Sequence, residues 1–95
     1  MNEQPMVSVT VCVRDGVDWI DGCLESLIAQ THRPLEIIAI DDGSSDGSTE
    51  KLLAWKEKEY DVPIRIHTQN AKGLSAGRQW AVKQSKGDWV AITDI

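Results

Sequence analysis

The hydrophobic pattern of the chain switches repeatedly between strand-like and helix-like spacing. Val7-Ser8-Val9-Thr10-Val11-Cys12-Val13 alternates valine with small polar residues and cysteine, which predicts a β-branched strand with its valines on one face. Ile20, Cys23, Leu24, Leu27 and Ile28 then recur at the spacing of an amphipathic helix reaching about Gln30, with Asp18 as its cap candidate. His32 and Arg33 suit the C-terminal end of that helix, and Pro34 prevents its continuation. Ile37 to Ile40 is an unbroken apolar run, so the second strand, Glu36 to Asp41, reads as buried on both faces. It gives way abruptly to Asp41-Asp42-Gly43-Ser44-Ser45-Asp46-Gly47-Ser48.

Beyond that turn, Ser48 or Asp46 is placed to cap a helix over about Thr49 to Glu59, with Leu52, Leu53 and Trp55 inward. Asp61-Val62-Pro63 breaks it. Ile64-Arg65-Ile66-His67-Thr68 alternates apolar and polar, as a half-exposed edge strand does. Gln69 to Gly73 is a loop. Ser75 can cap a third helix to about Lys86, with Gly87 just past its end, and Trp89-Val90-Ala91-Ile92 is a fourth strand. The order β-α-β-α-β-α-β predicts an α/β fold, a three-layer α/β/α Rossmann-like parallel sheet with right-handed crossovers. With strand 3 at an edge, the strand order is 3-2-1-4. Ligands of such sheets bind beyond the carboxyl ends of the strands at the switch point. That end gathers Cys12, Arg14, Asp15, Asp41, Asp42 and Asp94.

Ninety-five residues make one small domain, and 41% hydrophobic with 26% charged residues is a globular composition. A net charge of −5 argues against a nucleic-acid or anionic-membrane surface. No apolar run is long enough to span a bilayer, and the first residues do not form a signal peptide, so a location in the cytoplasm or on the cytoplasmic face of a membrane is expected. Cys12 and Cys23 lack metal-binding spacing and read as free buried thiols. His32 and His67 read as surface residues, and the four tryptophans as mostly core or semi-core, with Trp19 the one nearest the loop cluster. The chain stops at Thr93-Asp94-Ile95, directly after an apolar run, and reads as the first part of a longer protein.

Candidate chemistry is confined to a few positions. No GxGxxG follows strand 1 and no GxxxxGK[ST] is present, so neither a common dinucleotide site nor a P-loop is supported. Cys12 reads as a packed strand residue, because a nucleophile would need a base beside it and His67 is predicted on a distant strand. Asp41 and Asp42 can accept hydrogen bonds from a ligand or hold a hard cation, or simply shape a turn and a helix start. Lys72 and Arg78 lie where the third helix begins, placed either to meet a diphosphate or to be solvated.

Five stretches together resemble glycosyltransferase family 2. They are Val7–Val11 with the helix ending Cys23-Leu24-Glu25-Ser26-Leu27-Ile28-Ala29-Gln30-Thr31, then Leu35 to Ser48, then Asn70-Ala71-Lys72-Gly73-Leu74-Ser75-Ala76-Gly77-Arg78 with Gly87 to Asp94. The resemblance covers essentially the whole chain in order and spacing. It implies a GT-A fold and transfer of a sugar from a nucleotide-diphosphate donor, a UDP-sugar, with inversion at the anomeric carbon. By position, Asp42 resembles the aspartate that contacts the nucleobase, Asp94 the first aspartate of the DxD motif near ribose and metal, and Arg78 the arginine near the nucleotide. Mn²⁺ or Mg²⁺ would stabilise the leaving diphosphate. A glycan or lipid-linked acceptor, and a role in cell-wall or surface polysaccharide synthesis, follow from the family alone.

The chain departs from the family pattern in three places. Cys12-Val13-Arg14-Asp15 replaces the usual Pro-x-Tyr-Asn after strand 1, Gln79 replaces the asparagine after the arginine, and the chain ends before the second aspartate of DxD. The expectation is therefore a donor-binding N-terminal half, truncated within DxD and inactive alone, with the catalytic base beyond Ile95. Strand 4 would be left with an open edge through which a dimer could form. A non-catalytic α/β interaction module, a receiver-like signalling domain and a nucleotidyltransferase are the alternatives. The receiver reading suffers because its acidic pair should follow strand 1, and the nucleotidyltransferase reading because Arg14-Asp15-Gly16 is poor in glycine.

Overall fold

The computed structural model describes residues 4–58, 60–70 and 73–95, and for Leu74 and Asp94 the backbone only. Four strands, β1 (Val7–Val13), β2 (Leu35–Asp42), β3 (Ile64–Gln69) and β4 (Trp89–Asp94), alternate with α1 (Val17–Ile28), α2 (Ser48–Glu57) and α3 (Leu74–Gln84). All neighbouring strands are parallel, in the order β3-β2-β1-β4, as the alternating pattern predicts.

Period-two alternation divides the core into two layers. Val9, Val11, Val13, Ile37 and Ala39 pack with Ile20, Leu24, Leu27, Leu52 and Trp55 on the α1–α2 side. Cys12, Ile38 and Ile40 pack with Ala81 on the α3 side. β2 is buried along its whole length, which explains its unbroken apolar run. β3 is half-buried throughout most of its length, as an edge strand should be.

Several local expectations are corrected. Asp18 does not cap α1, which begins at Val17 after Gly16; Asp18 lies in the first turn, where its charge still suits the helix dipole. The Val17 amide is instead satisfied by Asp46 Oδ2 across the loops, at 3.1 Å. Asp46 precedes α2 and accepts from the Ser48 amide and hydroxyl, while Gly47 supplies the left-handed φ of 98°. α2 ends at Glu57, and the predicted end at Glu59 lies outside the described residues. Ser75 falls within the first turn of α3, whose flanking residue is Gly73. Gly87 lies beyond the cap residue Ser85 and serves close packing: a Cβ there would meet Ser8 Oγ at 2.6 Å and Ser8 N at 2.7 Å.

Leu53 is exposed, since consecutive helical residues point about 100° apart and Leu52 and Trp55 take the inner face. Trp19 and Trp89 are about two-thirds exposed, at 65% and 67%, so half of the tryptophans lie outside the core. His67 is half-buried and stacks on Trp80, ring centroids 3.9 Å apart, which ties β3 to α3. His32 is half-buried and donates to the Pro5 carbonyl at 2.7 Å. Cys23 is half-buried rather than buried.

Candidate functional site

Adjacent residues of a strand face opposite sides of its sheet, so Asp41 and Asp42 do not act as a pair. Asp41 turns to the α2 side. Its Oδ1 accepts from the Ser44 amide at 3.2 Å and its Oδ2 from the Thr49 hydroxyl, closing the turn and fixing the start of α2. Asp42 turns to the α3 side and is 1% exposed. Its Oδ1 accepts from Gln69 Nε2 at 2.9 Å and its Oδ2 from the Gly73 amide at 3.0 Å. Gln69 is the register partner of Asp42 on β3, so strand pairing itself delivers the amide to the carboxylate. Gly73, at φ 94° and ψ 155°, adopts a backbone conformation that favours glycine and so aims its N–H back at the strand end.

A second set of bonds latches the loop after β1 to the loop after β2. Asp15, at φ 52°, donates its amide to Ser44 Oγ at 3.0 Å and accepts from the Ser45 amide at 2.7 Å. The Gly16 amide donates to Ser48 Oγ at 3.0 Å. The Ser48 hydroxyl beside Asp46 holds that carboxyl below its ordinary value, so it stays an acceptor for the Val17 and Ser48 amides.

The other predicted site residues are spread around this frame. Cys12 is buried in the α3-side core, and Arg14 is exposed on the loop after β1. Arg78 is half-buried on α3, one residue past Gly77. A Cβ at Gly77 would stand 3.0 Å from Ile40 Cγ2 and 3.4 Å from Gln69 Nε2, so glycine lets the first turns of α3 lie close to the end of β2. The backbone of Asp94 ends β4 opposite Cys12, while its side chain and all of Lys72 lie outside the described residues. The structure thus brings the loop after β1 against the loop after β2, and Gln69 and Gly73 onto Asp42. Gln69 was passed over in the sequence as the first residue of a loop. The signal that could have found it is its place two residues after His67 on the alternating strand.

No three His, Cys, Asp or Glu residues among the described residues are grouped to hold a metal ion, and the side chain of Asp94 lies outside that set. A cleft of 650 Å³ is lined by Asp15, Gly16, Asp18, Trp19, Gly22, Cys23 and Ile95, and neither Asp42 nor Arg78 is among its lining residues. Burial pushes the Cys23 thiol up, against a thiolate nucleophile in that cleft. The feature with defined chemistry is Asp42, a buried carboxyl at the carboxyl end of the sheet that accepts from Gln69 and Gly73. Such a group recognises N–H or O–H donors of a ligand.

The chain is 36% identical over 90 residues to poly(ribitol-phosphate) beta-glucosyltransferase of Bacillus spizizenii, covering 93% of this chain and 14% of that protein. Among solved structures it superposes on the mannosyltransferase PcManGT from Pyrobaculum calidifontis, in complex with GDP-Man and Mn²⁺, with a TM-score of 0.89. Identity is 24%, over 97% of this chain and 28% of that one. S. aureus TarS 1-349 in complex with UDP-GlcNAc superposes with a TM-score of 0.81 at 24% identity, over 94% of this chain and 26% of that one. These likenesses show the GT-A fold, and the chain spans less than a third of the length of each of these proteins. The family model of glycosyl transferase family 2 matches residues 8–94, and on that match the chain belongs to glycosyl transferase family 2.

Proposed function

We propose that this chain is the donor-binding part of a glycosyltransferase that moves a sugar from a UDP-sugar to a glycan or lipid-linked acceptor with inversion. In that reading it acts in cell-wall or surface polysaccharide synthesis, in the cytoplasm or at the cytoplasmic face of a membrane. The observation that carries it is Asp42: a carboxylate held by two N–H donors at the carboxyl end of the central strands. A carboxylate accepts the N3–H of uracil, and it repels the bare N3 acceptor of cytosine. The relatives support the donor class, since one solved neighbour is bound to UDP-GlcNAc and another to GDP-Man.

Arg78 is assigned to the diphosphate, and Arg14, Asp15 and Lys72 to the loops around the nucleotide. Cys12 and Asp41 support those loops from within the sheet. Asp94 is assigned as one oxygen ligand of a divalent cation, Mn²⁺ or Mg²⁺, with the diphosphate supplying others. A diphosphate approaching a sheet end rich in aspartate needs such a counter-charge, and a neighbour's Mn²⁺ agrees. The chain alone is assigned no turnover, because a base for the acceptor hydroxyl is not among its assigned residues. The open edge of β4, the last strand in the sheet order, is where a second copy would pair.

The test is calorimetric. Asp42→Asn keeps the size of the side chain but turns one oxygen into a donor. UDP affinity should fall by about tenfold or more, the worth of one charge-assisted hydrogen bond. Unchanged UDP affinity would remove Asp42 from the site.

A further inference from the structure

Trp19 is a tryptophan that the packing of the chain leaves unused at the mouth of the sheet. It is 65% exposed, and its indole enters no ring stack and no hydrogen bond among the described residues. Trp55 and Trp80, by contrast, stack on Tyr60 and His67. Trp89 is as exposed, but it begins β4 opposite Val7, at the other end of the sheet. Gly22 and Cys23 follow Trp19 by three and four residues, so all three share one face of α1. They line the 650 Å³ cleft together with Asp15, Asp18 and Ile95.

Ile95 makes a fixed wall of that cleft. Its amide donates to the Cys12 carbonyl at 2.9 Å, and its Cγ2 stands 2.3 Å from where a Cβ on Gly16 would be. The helix side is kept open. A Cβ on Gly22 would meet nothing within 4 Å, so packing inside the chain does not call for glycine there, and glycine is a poor helix former. Its effect is to leave room beside the indole. The rim is polar. Asp15 Oδ1 is held by the Ser45 amide at 2.7 Å, and the side chain of Asp18 enters no ion pair or hydrogen bond among the described residues. An open indole face beside carboxyl oxygens matches a pyranose ring, whose C–H face lies against an aromatic face and whose hydroxyls donate to acceptors. We propose that this cleft is a saccharide-binding subsite: Trp19 takes the C–H face of a pyranose of the acceptor glycan, and Asp18 and Asp15 accept from its hydroxyls. This assignment rests on the glycosyl transfer proposed above and gives its acceptor a place. Asp42 faces the α3 side of the strand ends and the cleft lies on the α1 side, so a donor on Asp42 and a sugar on Trp19 occupy different surfaces.

The test is NMR on the whole chain, with methyl β-glucoside as the probe and ribitol, an acyclic polyol without a ring face, as its comparison. Amide spectra report the fold of each sample. Methyl β-glucoside should shift the Trp19 indole N–H and receive saturation from the protein on the axial hydrogens of one ring face, and ribitol should do neither. Trp19→Ala, at an exposed position, removes the platform. Gly22→Leu fills the cleft from a position with open space around it and leaves Trp19 in place. Each should weaken the glucoside about tenfold, the worth of one well-made aromatic contact. A merely structural role for Trp19 would leave the affinity of Gly22→Leu intact. The assignment falls if ribitol responds as strongly as the glucoside, if either variant keeps the parent affinity, or if the glucoside leaves Trp19 unmoved. A Trp19 signal that moves on dilution but not with sugar would make the cleft a face for a second copy instead. Adding UDP to the same samples reads Asp42 separately. A UDP response without a glucoside response removes the subsite alone, and a glucoside response without a UDP response upholds the subsite and removes the nucleotide reading.

Discussion

Glu36 shows how one buried charge can organise the end of the sheet opposite the candidate site. It is 2% exposed and accepts from the Ser8 hydroxyl at 2.5 Å, the Lys86 amide at 2.8 Å and Arg65 Nη2 at 3.1 Å. Burial pushes its carboxyl up, but those donors and the Arg65 charge outweigh it and leave it below the ordinary 4.5. A depressed carboxyl stabilises the fold above its unfolded value, and that stability is lost as pH falls through the folded value. Glu36→Gln should cost about 2–3 kcal/mol at neutral pH, the range for an under-satisfied buried network. Its stability should then fall less steeply than the parent's as pH drops below 4.5. Urea midpoints across pH would check both effects, and parallel acid limbs in the two proteins would contradict them.

The elements themselves were largely legible, and their junctions were not. β2 announced itself because a strand covered on both faces has no reason to alternate. β3 announced itself as an edge because it does alternate. The caps were misread because the groups that satisfy helix starts come from another loop: Asp46 reaches Val17, and Ser48 reaches Gly16. At the end of α1, Arg33 caps the Ile28 and Gln30 carbonyls and pairs with Asp61 at 3.0 Å, a bond no local pattern reveals. The hold of Gln69 on Asp42 was hidden for the same reason, since only strand pairing places them side by side. Gly87 read as a helix stop, yet its use is the close approach of the α3–β4 junction to β1, sealed by its amide on Ser8 Oγ at 2.8 Å. Gly87→Ala should therefore destabilise by about 1–3 kcal/mol through overpacking against Ser8 and Met6. Thermal unfolding would measure it, and an unchanged midpoint would show that the junction yields freely.

At the scale of the whole molecule, the sheet is covered unevenly. α1 and α2 seal one face and α3 the other over β1 and β2. β4 lies outside that cover, with Trp89 exposed on one face and Val90 and Ile92 on the other. The carboxyl ends of the strands carry the left-handed residues Asp15, Gly43, Gly47 and Gly73 together with Asp41, Asp42 and Asp46, and the opposite end carries the Glu36 network. This polarity is what a binding sheet requires: a rigid base, and loops fixed to one another at the mouth.

The central claim is that this mouth binds a uridine nucleotide through Asp42. The most direct measurement is an amide shift titration of the chain with UDP, with and without Mg²⁺, beside GDP and CMP. The account predicts shifts confined to the ends of β1 and β2, to Gln69 and Gly73 and to the start of α3, largest for UDP and enhanced by Mg²⁺. Shifts of equal size for all three nucleotides, or shifts in the α1–α2 face with Asp42, Gln69 and Gly73 unmoved, would contradict it.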